Sequence, residues 1–202
     1  GTNMNPSKTA ELATPALLID IDALEKNLST MSTRHPDSKL RPHTKAHKCT
    51  EIARLQLSHS HTNFTCATPR EIIGMAAAGV GSDFLLANEV LDAERLSALA
   101  KVSENVRVTI AVDSIETIKA AVRAGLRDVV IDVNVGLPRC GVAPELAGQL
   151  ADTARKAGMT VRGVMGYEGH LMMVNGDEKR KKRVDESMTL LGRAAQDVGG
   201  EI

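Results

Sequence analysis

The chain has 202 residues, enough for one substantial hydrophobic core and too few for two ordinary domains. Lysine plus arginine and aspartate plus glutamate each number 25, so the formal net charge is zero and no basic field favours nucleic acid or a membrane surface. No run approaches the ~20 apolar residues of a membrane span and no signal-peptide pattern is present, so a cytoplasmic protein acting on small molecules is expected.

Residues 1–12 are polar and aperiodic, and read as a flexible lead to a domain spanning residues 13–202. Residues 14–20 (TPALLID) have the apolar content of a strand. Asp22 then suits the cap of a helix over 23–34, in which Leu24, Leu28 and Met31 keep helical spacing. The alternation continues with strands over 39–45, 63–67, 83–87, 106–112, 128–135 and 160–167. Helices are expected over 50–58, 69–78, 90–100, 114–124, 144–157 and 177–198, with Pro69 in a first turn and Gly125 and Gly158 after helix ends. These are six strand–helix units of roughly 25–30 residues, and Glu201-Ile202 opens a seventh strand. No dinucleotide glycine fingerprint follows any strand, so the units predict an α/β fold of the (β/α)₈ barrel type rather than a doubly wound sheet. Six units cannot close eight strands, and the chain is expected to be part of a longer enzyme.

In such a barrel the working groups sit at the carboxyl ends of the strands. Over 39–45 a period of two puts Arg41, His43 and Lys45 on one face, and an amine among imidazoles and a guanidinium at a strand end suits attack on a carbonyl. Over 128–135, Val129, Ile131 and Val133 share a face suited to helices, while Asp132 and Asn134 point into the barrel. The loop 136–141 (GLPRCG) can fold Arg139 back over the mouth, where a guanidinium suits an anion. The last strand leads into GYEGH: Tyr167, the chain's single tyrosine, can stack on a planar ligand, and His170 lies one loop further. Bland alternatives stand beside each: a solvated basic edge, a satisfied polar pair, a surface arginine, a plugging tyrosine and a solvent-facing histidine. Cys49, Cys66 and Cys140 lack CxxC or His-x-Cys pairing and are expected to be reduced thiols, with no metal site assigned in this chain.

Five stretches, TPALLIDIDALEKNL, RPHTKAHKCTEIARLQL, FTCATPREI, VNVGLPRCGV and GVMGYEGHL, together resemble the amino-terminal domain of the fold-type III pyridoxal-phosphate enzymes. The resemblance is to the D-threonine aldolase and D-serine dehydratase group related to alanine racemase, and it covers nearly all of the chain from Thr14. It implies that Lys45 carries pyridoxal phosphate as an internal aldimine within the His43 and His47 cluster. It also implies that Arg139 lies beside the cofactor's phenolic oxygen and that Tyr167 packs on its pyridine face, with Asn134 lining the same mouth. The implied activity is a lyase acting on a D-amino acid with a β-hydroxyl group, by aldol cleavage ahead of dehydration or racemisation, with His170 a candidate base. The Tyr167-to-His170 spacing is shorter than the aldolase pattern, which leaves that base role open. The phosphate-binding segment, a divalent metal site and a homodimer are implied only for a longer protein extending past Ile202, so this chain alone is expected to be a weak enzyme. A non-catalytic pyridoxal-phosphate-binding protein of the same barrel is the alternative.

Overall fold

The structure, a computed structural model, describes residues 6–202. Five strands, β1 (Asn63–Cys66), β2 (Asp83–Leu86), β3 (Arg107–Val112), β4 (Asp128–Asp132) and β5 (Thr160–Met165), lie side by side in chain order, every pairing parallel. Parallel neighbours need a crossover between them. The crossovers are α3 (Pro69–Ala77), α4 (Ala93–Val102), α5 (Ile115–Ala124) and α6 (Ala147–Lys156), with α2 (Thr50–Ser58) before β1 and α7 (Asp177–Val198) after β5. This is the predicted alternation, laid out as an open run of barrel units in which β1 and β5 are the outer strands.

The sheet is lined differently on its two faces. Phe64, Phe84, Leu86, Ile110, Val112, Val129, Ile131 and Val133 share one core with Ile72, Leu96, Leu99, Ile118 and Leu150 of the helices. The Phe64 and Phe84 rings stack with centroids 6.3 Å apart. The other face carries a separate cluster of Leu85, Ala111 and Val130, with Met165 against it. The strand expected over 128–135 ends at Asp132, but the partition is present: Val129 and Ile131 of β4 and Val133 just after it meet the helices, and Asp132 lies with Val130 on the opposite face, only 4% exposed.

Local chemistry sets the helix ends. The Thr68 hydroxyl accepts from the Glu71 N–H with Pro69 in the first turn, and Asp92 accepts from the Arg95 N–H at 2.8 Å. Ser114 and Thr117 form a reciprocal capping box, and Gly125 closes α5 in the left-handed conformation at φ 84°. The cap at Asp92 moves the start of α4 to Ala93, later than expected, and Pro144–Leu146 is a separate 3-10 turn before α6. No helix is long and apolar enough to cross a membrane among the described residues.

Two expected strands are absent. Residues 14–20 run without strand pairing, with Leu17 93% exposed, because no neighbouring strand lies beside them to satisfy a ladder among the described residues. Asp20, not Asp22, caps the following helix α1 (Ile21–Arg34), accepting from the Ala23 N–H at 2.9 Å. None of the residues of α1 is buried, and it is tied to the end of α2 by Ser32 and Glu25, both bonded to His59. Ahead of it, Pro6–Glu11 forms a 3-10 helix where a flexible lead was expected; residues 1–5 of that lead lie outside the described residues.

Residues 39–45 become two 3-10 turns, Asp37–Lys39 and Thr44–Ala46, flanking a single parallel bridge from His43 to Thr65. Pro42 has no N–H to give a ladder, though its carbonyl accepts from the Thr65 N–H at 2.8 Å. The His43 ring then accepts from the Lys45 N–H at 3.2 Å and curls the chain. Arg41 and Lys45 therefore do not work on one face: Arg41 pairs with Asp83 at the amino end of β2, and Lys45 lies at the carboxyl end of the sheet. At the other edge, Glu201 and Ile202 do lie along β5, the Val164 N–H donating to the Ile202 carbonyl at 3.1 Å.

Candidate functional site

The carboxyl ends of the strands bring together residues that are far apart in sequence. Lys45 is presented by the turn that His43 pins, and its Nζ lies 5.4 Å from the centroid of the Tyr167 ring. Arg139, in the loop after β4, brings its Cζ to 5.9 Å from the same centroid. Two cations thus address one ring, an arrangement favoured by the ring quadrupole. The expected fold-back of Arg139 over the mouth is present. Asn134 lines a small cavity with Arg139 and Tyr167, and its Oδ1 is engaged by the Gly136 N–H at 2.9 Å, which shapes the start of the loop.

His170 joins this group through Gly136. A Cβ on Gly136 would stand 2.6 Å from Cε1 and Nε2 of His170, and the residue's φ of 130° is itself a glycine conformation, so the imidazole rests on bare backbone. The Nδ1 of His170 is buried and has no hydrogen-bond partner among the described residues. Burial, and then the charge of Lys45, lower the pKa of His43, which favours the neutral ring that accepts from the Lys45 N–H.

The neighbouring lysine is differently placed. Lys48 is held by the Glu71 carboxylate, while Lys45 has no ion-pair partner among the described residues. Arg41, expected beside Lys45, belongs to a separate network at the amino end of the sheet. There Asp83 receives both Arg41 and Arg162, the latter at 2.8 and 2.9 Å, and Arg162 also donates to Thr109 at 2.8 Å.

A second cluster lies under the Arg139 loop. Single ligand-type atoms of Glu89, Asp132 and Cys140 all lie within 4.8 Å of one another, and the Cys140 thiol donates to Asp132 Oδ2 at 3.4 Å. Glu89 Oε1 is buried without a hydrogen-bond partner among the described residues. Burial, and then Glu89, push the Asp132 carboxyl up to about 8, and burial pushes the Cys140 thiol up to about 11. Asp132 was foreseen as an inward group; Glu89 was missed. Its signal was positional, since it lies just past the carboxyl end of β2, where a barrel places working side chains.

The family model described as alanine racemase, N-terminal domain, matches residues 19–201. D-threonine aldolase of an Arthrobacter species is 33% identical over 197 residues, covering 93% of this chain and 52% of that protein. The 3-hydroxy-D-aspartate aldolase of Paracoccus denitrificans (strain Pd 1222) is 28% identical over 203 residues, covering 95% and 52%. The crystal structure of D-threonine aldolase from Filomicrobium marinum superposes with a TM-score of 0.87 at 32% identity, over 96% of this chain and 56% of that one. The chain spans about half the length of these relatives. By the match over residues 19–201 and by its run of parallel βα units, the chain belongs to the alanine racemase N-terminal domain family.

Proposed function

We propose that this chain forms the cofactor-binding part of a pyridoxal-phosphate-dependent lyase that breaks the Cα–Cβ bond of a D-amino acid bearing a β-hydroxyl group. The observation that carries this reading is the Tyr167 ring addressed by both Lys45 and Arg139, in a chain similar to two aldolases of such substrates. The residues fit a planar, anionic aldehyde. Lys45 is an exposed amine without an ion-pair partner among the described residues, which a condensing lysine requires, whereas Lys48 is tied to Glu71. Tyr167, a residue 43% exposed, offers a flat ring, and Arg139 offers a planar cation to an anionic oxygen. When bound, pyridoxal phosphate supplies a sink for the electrons left at Cα.

Each side chain then has a stated task. His43 fixes the turn that presents the Lys45 amine. Arg139 and Asn134 border the ring face, and Arg139 supplies its positive charge. His170, on the loop that carries Tyr167, takes the proton from the β-hydroxyl oxygen as the Cα–Cβ bond breaks and Cβ becomes the carbonyl carbon of the departing aldehyde. For D-threonine, return of a proton to Cα completes glycine, and the departing aldehyde is acetaldehyde. Three free thiols support a reducing, cytoplasmic setting.

Borohydride reduction in the presence of pyridoxal phosphate, followed by peptide mapping, tests the assignment. The label is expected on Lys45; a label on Lys48 or Lys39 that spares Lys45 would overturn it. Product analysis with D-threonine then separates cleavage from dehydration, which would release ammonia and a 2-oxo acid instead of glycine.

A further inference from the structure

We propose that Glu89 and Asp132 share a single proton and that this acid pair, acting through Cys140, positions Arg139 over the Tyr167 ring. The two carboxyl groups come from different elements: Asp132 ends β4, and Glu89 lies between β2 and α4. Asp132 is 4% exposed, and the carboxyl oxygens fall within the 4.8 Å cluster shared with the Cys140 sulfur. Two carboxylates at this separation, with Asp132 buried and Glu89 Oε1 out of water, repel strongly when both are ionised. One retained proton removes that repulsion and gives Glu89 Oε1 the hydrogen-bond partner it otherwise lacks among the described residues.

The surrounding charges agree with this occupancy. Facing the pair are Asp113 from the segment after β3 and Arg139 and Cys140 from the loop after β4. Asp113 is already engaged, its Oδ2 accepting from the Gly141 N–H at 3.1 Å. The singly protonated pair carries one negative charge beside the one positive charge of Arg139. The upward displacement of Asp132 by burial and by Glu89 points the same way.

The consequence for Arg139 is mechanical. The residue after it is fastened to Asp132 through the thiol, and the next is fastened to Asp113 through its N–H. Arg139 is therefore held by a loop pinned from two acids, which sets its approach to Tyr167. Loss of the shared proton leaves two ionised carboxylates that repel each other; Asp132, then the stronger acceptor for the Cys140 thiol, shifts away from Glu89 and carries Cys140 and the adjoining Arg139 with it. Glu89 and Asp132 are thus positioning residues. Their value to cofactor binding rests on the function proposed above; the shared proton does not.

The test uses the 202-residue protein without cofactor, labelled with ¹³C at the aspartate and glutamate carboxyl carbons. An NMR titration is expected to show the pair losing protons in two separated steps, one in the ordinary carboxylate range and one well above it. Both carbons titrating together in the ordinary range would overturn the shared proton. So would a stoichiometric divalent metal on the purified protein that is lost in Glu89→Gln. Positioning is read from Tyr167, the single tyrosine of a chain without tryptophan, so near-ultraviolet circular dichroism reports a tyrosine at the site alone. That signal is expected to change at the upper step and to lose the step in Glu89→Gln and Asp132→Asn. A wild-type signal that stays flat through the upper step would overturn the positioning role, and neither wild-type measurement depends on the variants folding. If both succeed while borohydride labelling spares Lys45, the pair stands and only its service to the cofactor falls.

Discussion

Lys45 and Tyr167, from opposite edges of the sheet, meet with the lysine Nζ 5.4 Å from the ring centroid. The contact is partly solvated, so its cation–π energy belongs to the range of about 1 kcal/mol, or roughly fivefold in affinity. Tyr167→Ala is expected to weaken pyridoxal-phosphate binding by at least that factor, and Tyr167→Phe to retain most of it. Spectrophotometric titration of the two variants measures the difference; equal losses would show that the hydroxyl, not the ring face, matters.

Gly136 separates the two roles assigned at the mouth. Gly136→Ala would put a methyl group 2.6 Å from the His170 ring at a φ of 130°, so the imidazole must move while Lys45 is untouched. Turnover of D-threonine by an active form is expected to fall by about a hundredfold or more, the scale of a lost general base. Reductive labelling of Lys45 is expected to persist. Loss of labelling together with turnover would show that the loop controls cofactor capture and not proton transfer.

At the amino end of the sheet, Asp83 binds two guanidinium groups, and Arg162 is the more deeply buried partner. Asp83→Asn leaves these cations facing each other with only the Glu201 carboxylate on Arg162 as an anion, and is expected to cost about 3–5 kcal/mol in thermal or denaturant unfolding. Arg41→Met should cost less than Arg162→Met, since Arg162 keeps both Asp83 oxygens, Thr109 and Glu201 as partners when Arg41 is lost.

Asp83 and Asp132 give the stability–pH curve two limbs of opposite origin. Burial alone raises Asp83, but hydrogen bonds from Arg162 and then Arg41 outweigh it and hold its carboxyl below the ordinary range. Its contribution is present above the unfolded value of about 4 and is lost as pH falls through the folded value. Asp132 is raised to about 8, so the folded state retains a proton that the unfolded chain releases. Its contribution is complete below about 4 and is lost as pH rises toward the folded value. Melting temperatures are therefore expected to decline from mildly acidic to mildly alkaline pH, a decline that Asp132→Asn flattens. Asp83→Asn should flatten the acid limb instead.

The residues that reach the candidate site were legible because parallel βα units place strand ends on one side, and Lys45, Arg139 and Tyr167 each follow a strand-like segment. The same logic could have reached Glu89, which follows β2, but a lone glutamate after a strand gives no sign of its partner. The partner appears only when β2, β3 and β4 pair in register and bring the loops after them together.

The sequence by itself determined the order of strands and helices and the side of β4 that meets the helices, because periodicity and caps act over a few neighbouring residues. Tertiary structure alone decided that Arg41 turns to Asp83 rather than toward Lys45, since that choice depends on which carboxylate the sheet register sets within reach. It also decided that residues 39–45 pair through one bridge and that residues 14–20 pair with nothing among the described residues. A strand is completed by its neighbour's backbone groups, and no local pattern of apolar residues can supply them.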